Sequence, residues 1–231
     1  MSRPVLAIET ATELPRYQAA EAARYLHLPV STLRSWTSAG PHSVAGAVLR
    51  MPLIMRPDPD DLRLSFSNLV EAHVLRALRT RHKLSMEQVR ETIREAERLH
   101  GIRRLLLSPD LRAMPGRILL DRLGQLIELS ASGQQAFRDV FEAYLDRLDR
   151  DESGTPFRLF PFSRRHELRS PRLVLIDPRI SFGRPILESC SVKTLSIFER
   201  FESGESVESI ASDYDIGTNE VEEAIRYERA A

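Results

Sequence analysis

Four of the five residues from 31 to 35 are built for hydrogen bonding: Ser31, Thr32 and Ser35 bring hydroxyls, and Arg34 brings a guanidinium. A guanidinium can pair with two acceptors on a guanine edge or with a phosphate, and hydroxyls serve either. Such groups discriminate only when a rigid surface presents them together. Leu33 and Trp36 are interleaved at i, i+3, so a helix through this stretch turns those two inward and leaves Ser31, Thr32, Arg34 and Ser35 outside. Just upstream, Ala19, Ala22, Ala23 and Leu26 fall at i, i+3, i+4 and i+7 and predict a first helix that carries Glu21 and Arg24 outward. His27-Leu28-Pro29 interrupts the pattern, and Pro29 suits the first turn of the second helix, where its missing N–H has no partner to lose. Two short helices on a tight turn, the second exposing hydroxyls and an arginine, form the arrangement that places a helix in the major groove. The same pattern also fits a helical hairpin that binds nothing.

Other chemistry is sparse. The histidines at 27, 42, 73, 82, 100 and 166 show no i,i+4 pairing, so no metal site and no cofactor is expected. One cysteine, Cys190, excludes an internal disulfide and a thiolate cage and reads as a small apolar filler. No Ser-His-Asp, Cys-His, paired-carboxylate or glycine-rich phosphate-loop pattern stands out, and an enzyme is not expected. No apolar run of membrane-spanning length or signal peptide occurs, so a cytoplasmic protein without membrane attachment is expected. Charge is zero overall but uneven: residues 171–231 hold seven Lys or Arg against twelve Asp or Glu. Phosphate repels such an end, so DNA binding belongs at the front of the chain.

The remaining elements follow in order. Residues 38–59 carry Gly40, Pro41, Gly46, Pro52, Pro57 and Pro59 and predict a loop or hairpin. From Arg63 helical spacing returns, with Ser67 as candidate cap and Leu69, Val70, Val74, Ala77 and Leu78 as its stripe. Ser85-Met86-Glu87-Gln88 reads as a capping box for a further helix that ends at Gly101. The short apolar runs at 105–107, 117–121 and 125–129 read as strands, with a hairpin through Leu123-Gly124. A helix over 134–148 is predicted next, stopped by residues 151–154, and 157–160 alternates like a strand. Residues 163–172 are polar and basic, a linker by composition.

The stretch Y-Q-A-A-E-A-A-R-Y-L-H-L-P-V-S-T-L-R-S-W over 17–36 resembles the reading head of MerR-type regulators, and "RLSFSNLVEAHVLRALR" with "LSMEQVRETIREA" resembles the two helices that follow it. His27 stands where that family usually has glycine. The resemblance covers about 15–100 and implies a wing over 38–59 that lies on the phosphate backbone, with Arg50 and Arg56 as its contacts. A dimer reading a palindrome is the corresponding expectation.

The last sixty residues predict two short strands and then helices over 194–203, 206–214 and 218–229. The final pair is helix-turn-helix shaped, but its second helix is read as showing Glu220, Glu222, Glu223 and Glu228 to solvent, which phosphate would repel. Asp177-Pro178, Ile180, Gly183, Pro185-Ile186, Gly204, Ser206, Ile210, Tyr214 and Ile225 resemble a small domain of unknown function found in bacterial antitoxins; residues 189–193 depart from its usual Gly-Thr-x-Ile-Pro turn. A MerR-like head on this tail is similar to the larger VapB-type antitoxins. That implies a PIN-domain ribonuclease toxin as partner, with carboxylates around magnesium in its active site. Guanidinium groups pair directly with such carboxylates, which makes Arg158, Arg164, Arg165 and Arg169, beside Phe157, Phe160 and Phe162, the candidate toxin contacts.

The expected architecture is mainly α with small β elements: a MerR-like winged helix-turn-helix over 15–100, a mixed middle and basic linker over 103–170, and a helical antitoxin-associated domain over 171–231. The expected function is an antitoxin that neutralises its toxin and represses its own operon at operator DNA, as a homodimer or a toxin–antitoxin hetero-oligomer. The alternative is a stand-alone MerR-like regulator whose middle section senses a ligand.

Overall fold

The structure, a computed structural model, describes residues 11–38, 52–79, 85–126, 131–164 and 170–230. After a helical stretch at 11–13 the chain forms the expected pair, α1 (Ala19–Tyr25) and α2 (Val30–Thr37). The turn between them is a Schellman motif: Leu28 N–H donates to Ala23 O at 2.8 Å and His27 N–H to Arg24 O at 3.0 Å. His27 takes the left-handed conformation that closes it, with φ 49°. Ala22, Ala23, Leu33 and Trp36 are all buried.

A two-way backbone bridge between Tyr17 and Leu64 ties the lead-in of α1 to that of α3 (Phe66–Arg79). α3 is the central post, with Phe66, Leu69, Val70, Ala72, Val74, Leu75, Ala77 and Leu78 buried. Its cap is Ser65 rather than Ser67: Asn68 N–H donates to Ser65 Oγ at 3.2 Å, and Ser65 N–H donates back to Asn68 Oδ1 at 3.1 Å. Asparagine serves here as the reciprocal partner that glutamate or glutamine usually provides, which shifted the apparent start. α4 (Met86–His100) has the expected capping box at Ser85 and ends on Gly101 at φ 65°.

The middle section differs from its sequence reading. Residues 105–107 and 109–112 are 3-10 turns, and α5 (Met114–Leu126) replaces the strand read at 117–121, the start of the one read at 125–129, and the hairpin at Leu123-Gly124. Leu119, Leu120 and Leu123 share one buried face of α5, a spacing that Pro115, Gly116 and Gly124 disguised as punctuation. Pro115 falls in the first turn, where it is tolerated, and a Cβ at Gly116 would overlap the Leu111 carbonyl. α6 (Ala131–Leu145) ends three residues early, and Leu148 instead opens β1 (Leu148–Arg150). β1 pairs antiparallel with β2 (Pro156–Leu159), Leu148 opposite Leu159, so residues 151–155 form a hairpin turn gathered on the Asp151 carboxylate.

Leu159 also bridges to Ile176, joining this hairpin to β3 (Val174–Leu175), which pairs antiparallel with β4 (Ile186–Leu187). Three helices complete the described chain: α7 (Thr194–Glu202), α8 (Val207–Tyr214) and α9 (Thr218–Ala230). They close their own apolar core through Leu187, Ile197, Ile210, Val221, Ala224 and Ile225. A separate, larger core runs from Tyr17 to Ile176. Among the described residues no helix is long and apolar enough to cross a membrane.

Candidate nucleic-acid interface

Helix α2 is positioned from beneath. Trp36 is buried, and its carbonyl accepts from Leu53 N–H at 2.9 Å and Ile54 N–H at 3.0 Å, so the returning chain is stitched to the end of the helix. Arg76 of α3 donates to the Leu26 carbonyl and holds the turn. On the opposite face Ser31, Arg34 and Ser35 are exposed, as the spacing required, whereas Thr32, also expected outside, is half-buried. Ser35 Oγ donates to the Thr32 carbonyl at 2.6 Å, which fixes one hydroxyl locally. Arg34 is exposed one turn after Ser31 and next to Ser35.

Arg24 is placed differently. It points from α1 toward the C-terminal helix, where Glu228, only 3% exposed, accepts from it at 3.2 Å. The same junction holds the turn: the His27 imidazole nitrogen Nε2 lies 3.1 Å from the Tyr227 carbonyl, and Tyr227 Oη donates to the Tyr25 carbonyl at 2.8 Å. Burial pushes the Tyr227 phenol well up, so it remains a donor. The sequence reading that set Glu223 and Glu228 facing solvent is therefore corrected. Both are buried: Glu228 takes Arg24 and the Thr194 hydroxyl, and Glu223 takes Ser163, Arg226 and Arg164, the last at 3.5 Å. A carboxylate flanked by apolar positions on a helix can turn inward when a cation from another segment meets it, and sequence does not show that cation.

Arg56 is half-buried and donates to the Asp61 carbonyl at 3.1 Å. Arg50 lies outside the described residues, as does most of the expected wing. A groove of about 730 Å³ adjoins Arg56, floored by Leu53, Ile93 and Ile102 and edged by Arg94, Arg98 and Arg103. Those three arginines are exposed, and the sequence reading passed over them. The signal was the i,i+4 pair Arg94 and Arg98 on the face of α4 away from Val89 and Ala96.

The arginines expected to meet a toxin separate into two groups. Arg165 and Arg169 lie outside the described residues. Arg158 donates to Asp177 at 3.3 Å and Arg164 reaches Glu223, so both are engaged within the chain. Asp177 is fully buried and also takes Arg179, through the backbone N–H at 2.9 Å and the guanidinium at 2.6 Å. Burial pushes the Asp177 carboxyl up, but the two guanidinium groups more than offset this and hold it below the ordinary carboxylate range. The basic segment is also anchored: Arg147, itself buried beneath Phe162, donates to the carbonyls of Ser170 at 2.8 Å and Pro171 at 3.2 Å. Burial lowers the Arg147 guanidinium to about 10, still charged at neutral pH.

With this geometry in place, likeness to known proteins assigns the two ends. Residues 15–93 match the family described as "Putative DNA-binding HTH domain", and residues 174–227 match "Protein of unknown function (DUF433)". Across 94% of this chain and 95% of the relative, the sequence is 26% identical to "Putative antitoxin VapB45" of Mycobacterium tuberculosis. The chain resembles a VapB-type antitoxin. The VapB-like architecture is also that of a solved fold: the crystal structure of Rv2018 from Mycobacterium tuberculosis superposes with a TM-score of 0.65 over 92% of this chain and 98% of that one, at 22% identity. In this VapB-like chain the helix-turn-helix match contains α1, α2 and α3, and the DUF433 match contains β3, β4, α7, α8 and most of α9, including Glu223, which meets Arg164.

Proposed function

We propose that this protein is an antitoxin that neutralises a PIN-domain ribonuclease toxin by direct binding and, alone or in complex, represses its own operon by docking α2 in the major groove of operator DNA. The exposed row Ser31, Arg34 and Ser35 on a helix whose other face is fixed by Trp36 carries the DNA half of this reading. Likeness to an antitoxin over nearly the whole chain supports the toxin half. In this reading 15–100 reads DNA in the MerR-like manner, 103–170 connects, and 171–231 is the antitoxin-associated unit. Phosphate contacts fall to Arg56 and to the arginines along the α4 groove, and the sequence reading adds Arg24 and Arg50 as further candidates. A dimer on a palindrome supplies the affinity that one module lacks at cellular salt.

Two measurements test this. Growth of a host expressing the adjacent reading frame alone should arrest and should recover when this chain is co-expressed; unrelieved arrest removes the antitoxin reading. For the DNA half, Arg34→Ala should weaken operator binding by about 1–3 kcal/mol and relax base preference at one position, read by fluorescence anisotropy. Unchanged affinity and preference would mean that α2 is not the reading helix.

A further inference from the structure

The turn that joins β3 to β4 holds an unusual run of backbone. Ser181, Phe182 and Gly183 are all left-handed in succession, at φ 50°, 56° and 72°. Glycine accepts this at no steric cost, but serine and phenylalanine do not. The result is to hold out Phe182, which is 81% exposed, the most exposed of the large apolar side chains among the described residues. A large aromatic has no stability reason to sit in water on strained backbone, and such strain concentrates where a binding group must be presented.

The turn is rigid. At its start Asp177 is buried under Arg158 and Arg179, and Arg16 donates to the Pro178 carbonyl. At its end Gly183 is buried against Tyr17. Arg179 lies over the Phe157 ring at 4.7 Å, and Arg184, exposed, lines a crevice of about 230 Å³ in which Arg24 is paired with Glu228 while Lys193 faces the same space as Glu21. An anchored, exposed aromatic with the exposed Arg184 two residues on is the composition of an interface hot spot. The partner that complements it presents an apolar pocket fringed by carboxylates.

We propose that the Phe182 turn is the anchor through which this chain docks its protein partner, Phe182 filling an apolar pocket and Arg184 meeting the carboxylates at its edge. This rests on the toxin reading above and assigns the contact to this turn instead of to Arg158 and Arg164, whose guanidinium groups already serve Asp177 and Glu223. The site adjoins Arg16 and Tyr17, at the threshold of the helix-turn-helix, so a docked partner sits where it touches both ends of the chain.

The test uses the full chain and the protein encoded by the adjacent reading frame, carrying an inactivating substitution, in a calorimetric titration. Phe182→Gly should melt at or above the wild-type temperature, because glycine relieves the left-handed strain, and yet bind about 30-fold or more weaker. Phe182→Leu should retain most of the affinity, and Arg184→Glu should weaken binding in a salt-dependent way. Equal binding by wild type and Phe182→Gly overturns the proposal while leaving the toxin reading intact. A melting temperature well below wild type overturns it as well, since Phe182 would then be structural. A wild-type dimer that Phe182→Gly dissolves into monomers would assign the surface to a second copy and overturn it too. No binding by the wild-type chain defeats both this proposal and the toxin reading.

Discussion

Gly183→Ala is expected to destabilise the protein by on the order of 3 kcal/mol. Two costs combine. At φ +72° any side chain strains the backbone, and here the added carbon would also overlap the hydroxyl of Tyr17, a ring that is 1% exposed and wedged edge-on against Tyr25 at 6.2 Å. Gly101 separates the two costs. It has nearly the same backbone angle, φ +65°, with nothing near its absent Cβ, so Gly101→Ala should lose only about 1 kcal/mol. Denaturant unfolding of the two variants gives the difference directly. Tyr17→Phe, which removes the obstructing oxygen, should restore part of the loss in the Gly183→Ala background. Equal losses at 101 and 183 would show that Tyr17 and Gly183 do not meet.

The second large expectation concerns acid. His73 is 1% exposed on α3, where its Nε2 donates to the Tyr144 carbonyl at 3.0 Å and its ring stacks on Phe162 at 5.9 Å. Burial lowers its pKa to about 3, with the nearby Arg76 and Arg147 charges acting in the same direction. In the unfolded chain an ordinary histidine takes up its proton near pH 6.5. Between about pH 6.5 and 3 the unfolded state therefore binds the extra proton, and stability falls by about 1.4 kcal/mol for each unit of pH. From pH 7 to pH 5 this one group should remove about 2 kcal/mol. Melting curves across that range should show the loss, and His73→Gln should flatten it even though the variant is less stable at pH 7. An equally steep slope in the variant would place the acid sensitivity elsewhere.

The helix-turn-helix was legible because its constraints are local. Alanines at helical spacing set α1, Pro29 and His27 marked a turn, and Leu33 with Trp36 fixed the face of α2 down to which hydroxyls stay outside. The capping box of α4 and the three C-terminal helices were readable for the same reason. α5 was not, since its proline and glycines are breakers by composition and become harmless only through position: one in a first turn, another against Leu111. The inward glutamates were illegible for a different reason. Glu228 meets Arg24 across 204 residues of chain, and Glu223 meets Ser163 across 60, so their partners could not be found by spacing. Of the candidate arginines, Arg34 is exposed on the outer face of α2, Arg24, Arg158 and Arg164 are engaged within the chain, and only a folded structure separates these placements.

The pairing of Arg24 with Glu228 bears on how binding would respond to ionic strength. Each phosphate neutralised by a cation releases condensed counterions, and the steepness of the logarithmic salt dependence counts those neutralisations at about 0.9 each. A guanidinium that already carries its own carboxylate brings almost no net charge to the duplex. If operator DNA is gripped through α1 and α2, Arg24 would add directional hydrogen bonds while leaving the salt exponent nearly unchanged. Losing Glu228 would then make the same surface bind DNA more tightly in dilute buffer and less selectively, because the affinity gained would come from the ion atmosphere, which is alike for every sequence.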